Sequence, residues 1–155
     1  MAAPRRETSR LAEALAEIRA IYAEVGARPI DRACSLRAEC CHFATTGLTP
    51  QLTLGEALLA ARAFRATGRK TLPPPTDGEC PLLHPATRRC LIYADRPFGC
   101  RTHFCGPAGG PWPRREVLDL IRRLESVDAL LGGSGPRALP VAVGDALTRK
   151  YDVTR

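Results

Sequence analysis

CPLLHPATRRCLIYADRPFGCRTHFC, residues 80–105, carries Cys80, Cys90, Cys100 and Cys105, four of the seven cysteines of the chain. Around it, over residues 72–113, prolines stand at positions 73, 74, 75, 81, 85, 97, 107, 111 and 113. Proline removes backbone donors and stops helices, so neither a long helix nor a central strand fits this region. The run Cys90-Leu91-Ile92-Tyr93 is the one piece that suits a short strand. A loop region of this length inside a compact domain needs a cross-link, and the thiols supply one.

The other three thiols, Cys34, Cys40 and Cys41, lie upstream in CSLRAECCHF, residues 34–43. A helix separates the two groups. Thr53-Leu54-Gly55-Glu56 is a capping box, and Leu54, Leu58, Ala61 and Phe64 or Arg65 continue it to Gly68. The two groups of thiols are expected to meet around a metal.

The flanks also read as helices. Thr8 or Ser9 can cap a first helix of about residues 8–25, with Leu11, Leu15, Ile18, Tyr22 and Val25 on its apolar side and Gly26 as a left-handed stop. Pro113 opens a helix of about residues 113–131 through Val117, Leu120, Ile121, Leu124, Val127 and Leu131, with Arg114, Arg115, Arg122 and Arg123 facing outward. A flexible glycine-rich linker follows at 132–136, then a short helix at 145–151. The expected fold is mainly α, a small helical domain whose cysteine- and proline-rich irregular region is pinned by metal.

Bulk composition agrees with one metal-binding domain over residues 1–155, its cysteine core at about 34–105. Hydrophobic residues at 45% and charged residues at 25% are ordinary for a globular chain, and aromatics at 5% leave the core to aliphatic side chains. The formal charge of +7 counts thiols as neutral; four thiolates around Zn²⁺ or a [4Fe–4S]²⁺ core bring it to about +5. A basic surface suits an acidic protein partner, with nucleic acid the weaker expectation. No apolar run reaches membrane-spanning length, which excludes a membrane protein of that kind. Arg5 and Arg6 are followed by Glu7, Arg10, Glu13, Glu17 and Arg19 rather than the apolar core of an export signal, so the expected location is cytoplasmic. An odd number of cysteines in a reducing compartment points to metal ligation or redox chemistry, not structural disulfides.

Thiolates are soft donors suited to Zn²⁺, iron–sulfur clusters or Cu(I). The chain has no C-x₂-C pair, which counts against a zinc finger; a C-x₄-C pair, Cys100 to Cys105, and Cys80-Pro81 both occur among iron–sulfur ligands. Adjacent Cys40 and Cys41 diverge on any regular backbone, so either they serve different metals or one of them packs as a small apolar residue. His103, between two cysteines, and His42 are candidate ligands with a loop role as the alternative; His84 is a weaker candidate. Arg96 and Arg101 are candidate donors to metal-bound sulfur, or loop-stabilising ion pairs. Glu56 fits a cap better than a ligand. No P-loop, G-x-G-x-x-G, G-x-S-x-G or H-E-x-x-H pattern is present, so no catalytic residue is assigned.

Taken in order, Cys80-Pro81-Leu82-Leu83, Cys90-Leu91-Ile92-Tyr93, Arg96-Pro97, Cys100-Arg101 and Cys105 resemble the signature of the YkgJ-type cysteine-cluster family, zinc- or iron-chelating domains. Cys34, Cys40 and Cys41 resemble that family's CxxCxxCC element, with Arg37 in place of its second cysteine. The resemblance implies metal binding by Cys34, Cys40, Cys41, Cys80, Cys90, Cys100 and Cys105. Either the position of Arg37 is not a ligand position, or His42, His103, Glu56, water or substrate fills the place of the missing cysteine. An iron–sulfur cluster of the [4Fe–4S] type is the first expectation, with zinc or iron ions second. Electron transfer, metal handling or an accessory role to an enzyme would follow. The alternatives are a structural-zinc module for an acidic protein or nucleic acid, and a metalloenzyme with an open coordination position.

Overall fold

The computed structural model describes residues 3–32, 38–74, 76 and 78–149, with the backbone alone at 3–6 and 107. Cys34 and Arg37 lie outside the described residues. Among those described are six α-helices: α1 (Ala3–Ala27), α2 (Phe43–Thr46), α3 (Leu54–Ala66), α4 (Phe98–Thr102), α5 (Leu118–Leu130) and α6 (Leu139–Thr148). Two short strands, β1 (Gln51–Leu52) and β2 (Arg137–Ala138), pair antiparallel with Gln51 opposite Ala138 and Leu52 opposite Arg137. The expected mainly α class is the one observed. No helix among the described residues is long and apolar enough to cross a membrane.

Helix α3 is the centre of the packing, with α1, α5 and α6 all against it. Its Leu58, Ala61 and Phe64 are buried as their spacing predicts, but so are Ala57, Leu59 and Ala60, so it is covered nearly all round rather than on one stripe. Its first turn is anchored where the sequence places the cap, the Thr53 N–H and hydroxyl both donating to Glu56 Oε2 at 3.0 Å.

Helix α1 begins at Ala3, ahead of Thr8 and Ser9, and Ser9 Oγ donates instead to Glu13 Oε1 at 2.9 Å. It runs past Gly26 to Ala27. Pro29 sets that limit, because the residue before a proline is pushed out of the helical region. Ile21 joins Leu15, Ile18, Tyr22 and Val25 in the core.

Helix α5 starts later than expected. Pro113 precedes a 3-10 turn, Arg114–Glu116, which Trp112 braces by donating from Nε1 to Glu116 Oε2 at 2.7 Å. Arg123 is not a solvated charge: it reaches Glu17 at 2.7 Å and Glu24 at 2.5 Å on α1. Arg28, between Glu24 and Asp119, adds a second ionic tie between α1 and α5.

Residues 132–136 are pinned rather than free. Asp128 is buried, its Oδ1 accepting the Leu54 N–H at 2.7 Å and its Oδ2 the Gly135 N–H at 2.9 Å. One carboxylate thus caps α3 and fastens the turn beyond α5. Gly133 must lack a side chain, since a Cβ there would stand 2.2 Å from Asp128 Oδ1. The turn delivers β2 to β1, and α6 begins at Leu139, six residues before the expected start, with Pro140 accommodated in its first turn. Tyr151, the expected end of that helix, lies outside the described residues. Replacing Asp128 with Ala should cost about 2 kcal/mol in denaturant unfolding by removing a buried cap that serves two segments. Unchanged stability would show that water replaces it.

Candidate metal centre

Each described cysteine reaches the centre on a short piece of chain. Cys40 and Cys41 sit on a 3-10 turn, Glu39–Cys41, that follows Ala38 in the left-handed region at φ 57°. Cys80 is tied to that turn through the backbone, its N–H donating to the Cys41 carbonyl at 2.7 Å. The next residues fold back on themselves: Leu91 N–H donates to Leu82 O and His84 N–H to Arg89 O, each at 2.8 Å, returning Cys90 beside Leu83. The short strand expected at Cys90-Leu91-Ile92-Tyr93 reduces to this single bridge, because the chain turns at once into a 3-10 turn, Tyr93–Asp95, ahead of Pro97.

Cys100 stands on α4, and α4 is held to α3 by one buried group. Glu56 Oε1 accepts the Phe98 N–H at 2.8 Å and the Tyr22 hydroxyl at 3.1 Å while its other oxygen serves Thr53. Burial raises the Glu56 pKa, opposed by the bonds from Phe98, Thr53 and Tyr22. Its lone pairs face these donors, so Glu56 builds the site rather than lining it. Arg101 works alongside, donating to Arg96 O at 2.8 Å and Ala94 O at 2.6 Å with its guanidinium 4.3 Å over the Tyr22 ring. Cys105 is reached just beyond α4, where its carbonyl accepts the Ala108 N–H at 2.8 Å and starts a 3-10 turn.

These pieces converge. Cys40, Cys41, Cys80, Cys90, Cys100 and Cys105 all line one cavity of about 300 Å³. Adjacent Cys40 and Cys41 share it because a 3-10 turn, unlike a strand, does not send neighbours to opposite faces. Among the described residues no three His, Cys, Asp or Glu side chains are drawn together as the ligands of one ion would be. Cys41 shares sulfur hydrogen bonds with Cys40 and Cys80, and Cys90, Cys100 and Cys105 line the same space.

The thiols also oppose one another's ionisation. The bond to Cys41, then burial, holds Cys40 far above the usual thiol range. The bond with Cys40 pulls Cys41 down, but the bond with Cys80, burial and the charges of Cys80 and Cys90 push it up to about 12. Burial raises Cys100, with Cys41, Cys90 and Cys40 adding to it, and burial raises Cys90 despite Arg96. Burial followed by Cys40 raises Cys105. Such a cluster is protonated when it stands alone, and a metal that binds it displaces protons. Six soft donors around one cavity fit zinc, iron or an iron–sulfur group in donor type.

The remaining candidates divide. His103 lines the cavity, as do Arg96 and Tyr93. His42 is turned toward Glu79, Nδ1 to Oε1 at 3.4 Å, and Glu79 also holds Arg88 at 2.6 Å. His84 Nδ1 accepts the N–H groups of Ala86 at 3.2 Å and Thr87 at 3.1 Å, a loop role. Glu79 was not a sequence candidate; its place directly before Cys80-Pro81 is the one local signal for it. Nor was Asp128, whose buried capping role shows only in the fold.

A thiol-lined cavity held by a small helical framework is the kind of site that thiophilic metals take. The chain belongs to the CxxCxxCC family, described as "Putative zinc- or iron-chelating domain", whose sequence model matches residues 32–115, more than half of the chain. The match spans every described cysteine as well as Cys34 and Arg37. No curated protein and no solved structure matches the chain.

Proposed function

We propose that this chain holds an iron–sulfur cluster of the [4Fe–4S] type, with its ligands drawn from Cys40, Cys41, Cys80, Cys90, Cys100 and Cys105 and with Cys34 as the seventh candidate. The observation that carries the reading is that six thiols line one cavity of about 300 Å³, more donors than a single four-coordinate ion takes. Four thiolates on a single zinc ion share one centre at about 2.3 Å, whereas the irons of a cluster occupy a larger core and take ligands from wider positions. When bound, such a group supplies one-electron transfer. The chain's own residues exclude water and fix the ligands: Leu82 is buried beside the thiols, Glu56 anchors α4, and Arg101 holds the loop before it. We place this single metal-binding domain in a reducing, cytoplasmic setting, where thiols persist without pairing.

Zinc in the same thiols is the second reading. The exposed Arg114, Arg115 and Arg122 favour it in one respect, since they give a structural-zinc module a cationic face for an acidic protein or, less well, nucleic acid. Anaerobic purification with metal and sulfide analysis separates the two. A brown protein containing iron and acid-labile sulfide, with visible absorption that bleaches on reduction, is the expected result. A colourless protein whose only metal is zinc would sink the iron–sulfur reading.

A further inference from the structure

Among the described residues, one buried side-chain nitrogen or oxygen has no hydrogen-bond partner, and it is Arg96 Nε. Its surroundings explain why that matters. The Arg96 guanidinium lies 4.0 Å over the Tyr93 ring, which fixes its plane, and its carbonyl accepts from Arg101, which fixes the backbone beneath it. Arg96 and Tyr93 line the same cavity as the six cysteines, and the positive charge of Arg96 is felt at Cys40 and Cys90. A buried N–H left without an acceptor destabilises the fold, so such groups are rarely left unpaired. A fixed donor turned away from water at the edge of a thiol cavity is satisfied when sulfur there carries negative charge.

We infer that Arg96 is a positioning residue of the metal site, its Nε–H donating a hydrogen bond to the sulfur of the bound metal group on the Cys40 and Cys90 side. This rests on the cavity being a metal site and holds for either metal. Arg101 has a different task, because its Nε and one terminal nitrogen are engaged by the carbonyls of Arg96 and Ala94. Arg88 and Arg89 line the cavity too, but among the described residues it is Arg96 that holds a buried donor without a partner.

The test uses the metal-loaded full chain with Arg96→Lys and Arg96→Met. Lysine keeps the charge but has no N–H at the Nε position; methionine keeps much of the stem and removes both. Metal release to an excess of chelator should be at least about tenfold faster in both variants, in the range that outer hydrogen-bond partners of metal ligands contribute. A spectroscopic or redox readout excludes a role in folding alone. In an iron-loaded protein the reduction potential should fall in both variants, because a lost donor leaves the reduced group less stabilised. In a zinc protein, cobalt substitution should show the thiolate-to-metal band moved to longer wavelength. Release and spectra or potential like the wild type in either variant would overturn the inference; if Arg96→Met does not accumulate, Arg96→Lys decides. A colourless zinc protein with this Arg96 dependence would refute the iron–sulfur reading and leave the Arg96 role standing. An iron–sulfur protein indifferent to Arg96 would do the reverse.

Discussion

Cys100→Ser should leave the chain largely metal-free and remove most of the stability that metal confers. Cys100 is fixed on α4 by the Phe98–Glu56 bond and senses Cys40, Cys41 and Cys90 around it, so it stands among the thiols rather than at their rim. Serine is nearly the same size, and its hydroxyl is a poor ligand for a soft metal at neutral pH. A ligand present at a thousandfold its dissociation constant stabilises the native state by about 4 kcal/mol, and a variant that cannot bind forfeits that increment. The measurement is metal content together with thermal unfolding of loaded and metal-free protein. The variant should melt close to metal-free wild type in both preparations. Normal metal content in Cys100→Ser, and in the matching Cys90→Ser, would remove both from the ligand set.

Glu56→Ala should be the most damaging single change away from the thiols, by roughly 3–5 kcal/mol. Glu56 is 2% exposed and accepts from Phe98 N–H, Thr53 N–H, the Thr53 hydroxyl and the Tyr22 hydroxyl. Removing the acceptor leaves several buried donors unsatisfied at about 1–3 kcal/mol each, partly relieved by water entering the cavity. Glu56→Gln should recover only part of the loss, because its amide turns two donors into a cluster of donors. Metal retention should weaken with stability, since α4 is held through the same carboxylate. Denaturant unfolding combined with metal analysis checks both; a near-neutral Glu56→Ala would mean that α4 is positioned by other contacts.

The helices were legible where one residue's chemistry is local. Thr53 and Glu56 announce the start of α3, and the spacing of Leu15, Ile18, Tyr22 and Val25 gives the buried face of α1. What local pattern cannot carry is a bond made across the fold. Glu56 reads as a cap, and it is one; that its second oxygen also reaches Phe98 is a relation between residues far apart in the chain. The same holds for Asp128, which turns what composition presents as a free glycine linker into a fixed corner. Both ends of α1 were misjudged for a similar reason, since capping residues permit a start without requiring one, and Pro29 rather than Gly26 closes the helix. For the centre itself, the two groups of thiols were readable from count and spacing. Their common cavity depends on the 3-10 turn at Glu39–Cys41 and on the backbone tie from Cys80 to Cys41, neither of which has a sequence signature.

That tie bears on how fast the protein can load. Besides the bond from Cys80 N–H to Cys41 O, Ala44 N–H donates to Gly78 O at 3.1 Å and His42 bridges Glu79. Gly78, at φ 69°, permits the approach, for a Cβ there would come within 2.5 Å of the Ala44 Cβ. The chain between the two groups of cysteines, α3 included, is thus closed by main-chain bonds, so an arriving metal does not have to supply its closure entropy. Preorganisation of this kind lowers the conformational cost of capture and leaves proton loss from the crowded thiols as the larger hurdle. Uptake should then resemble filling a socket more than folding a finger around an ion, with a far-ultraviolet spectrum that changes little as the metal enters.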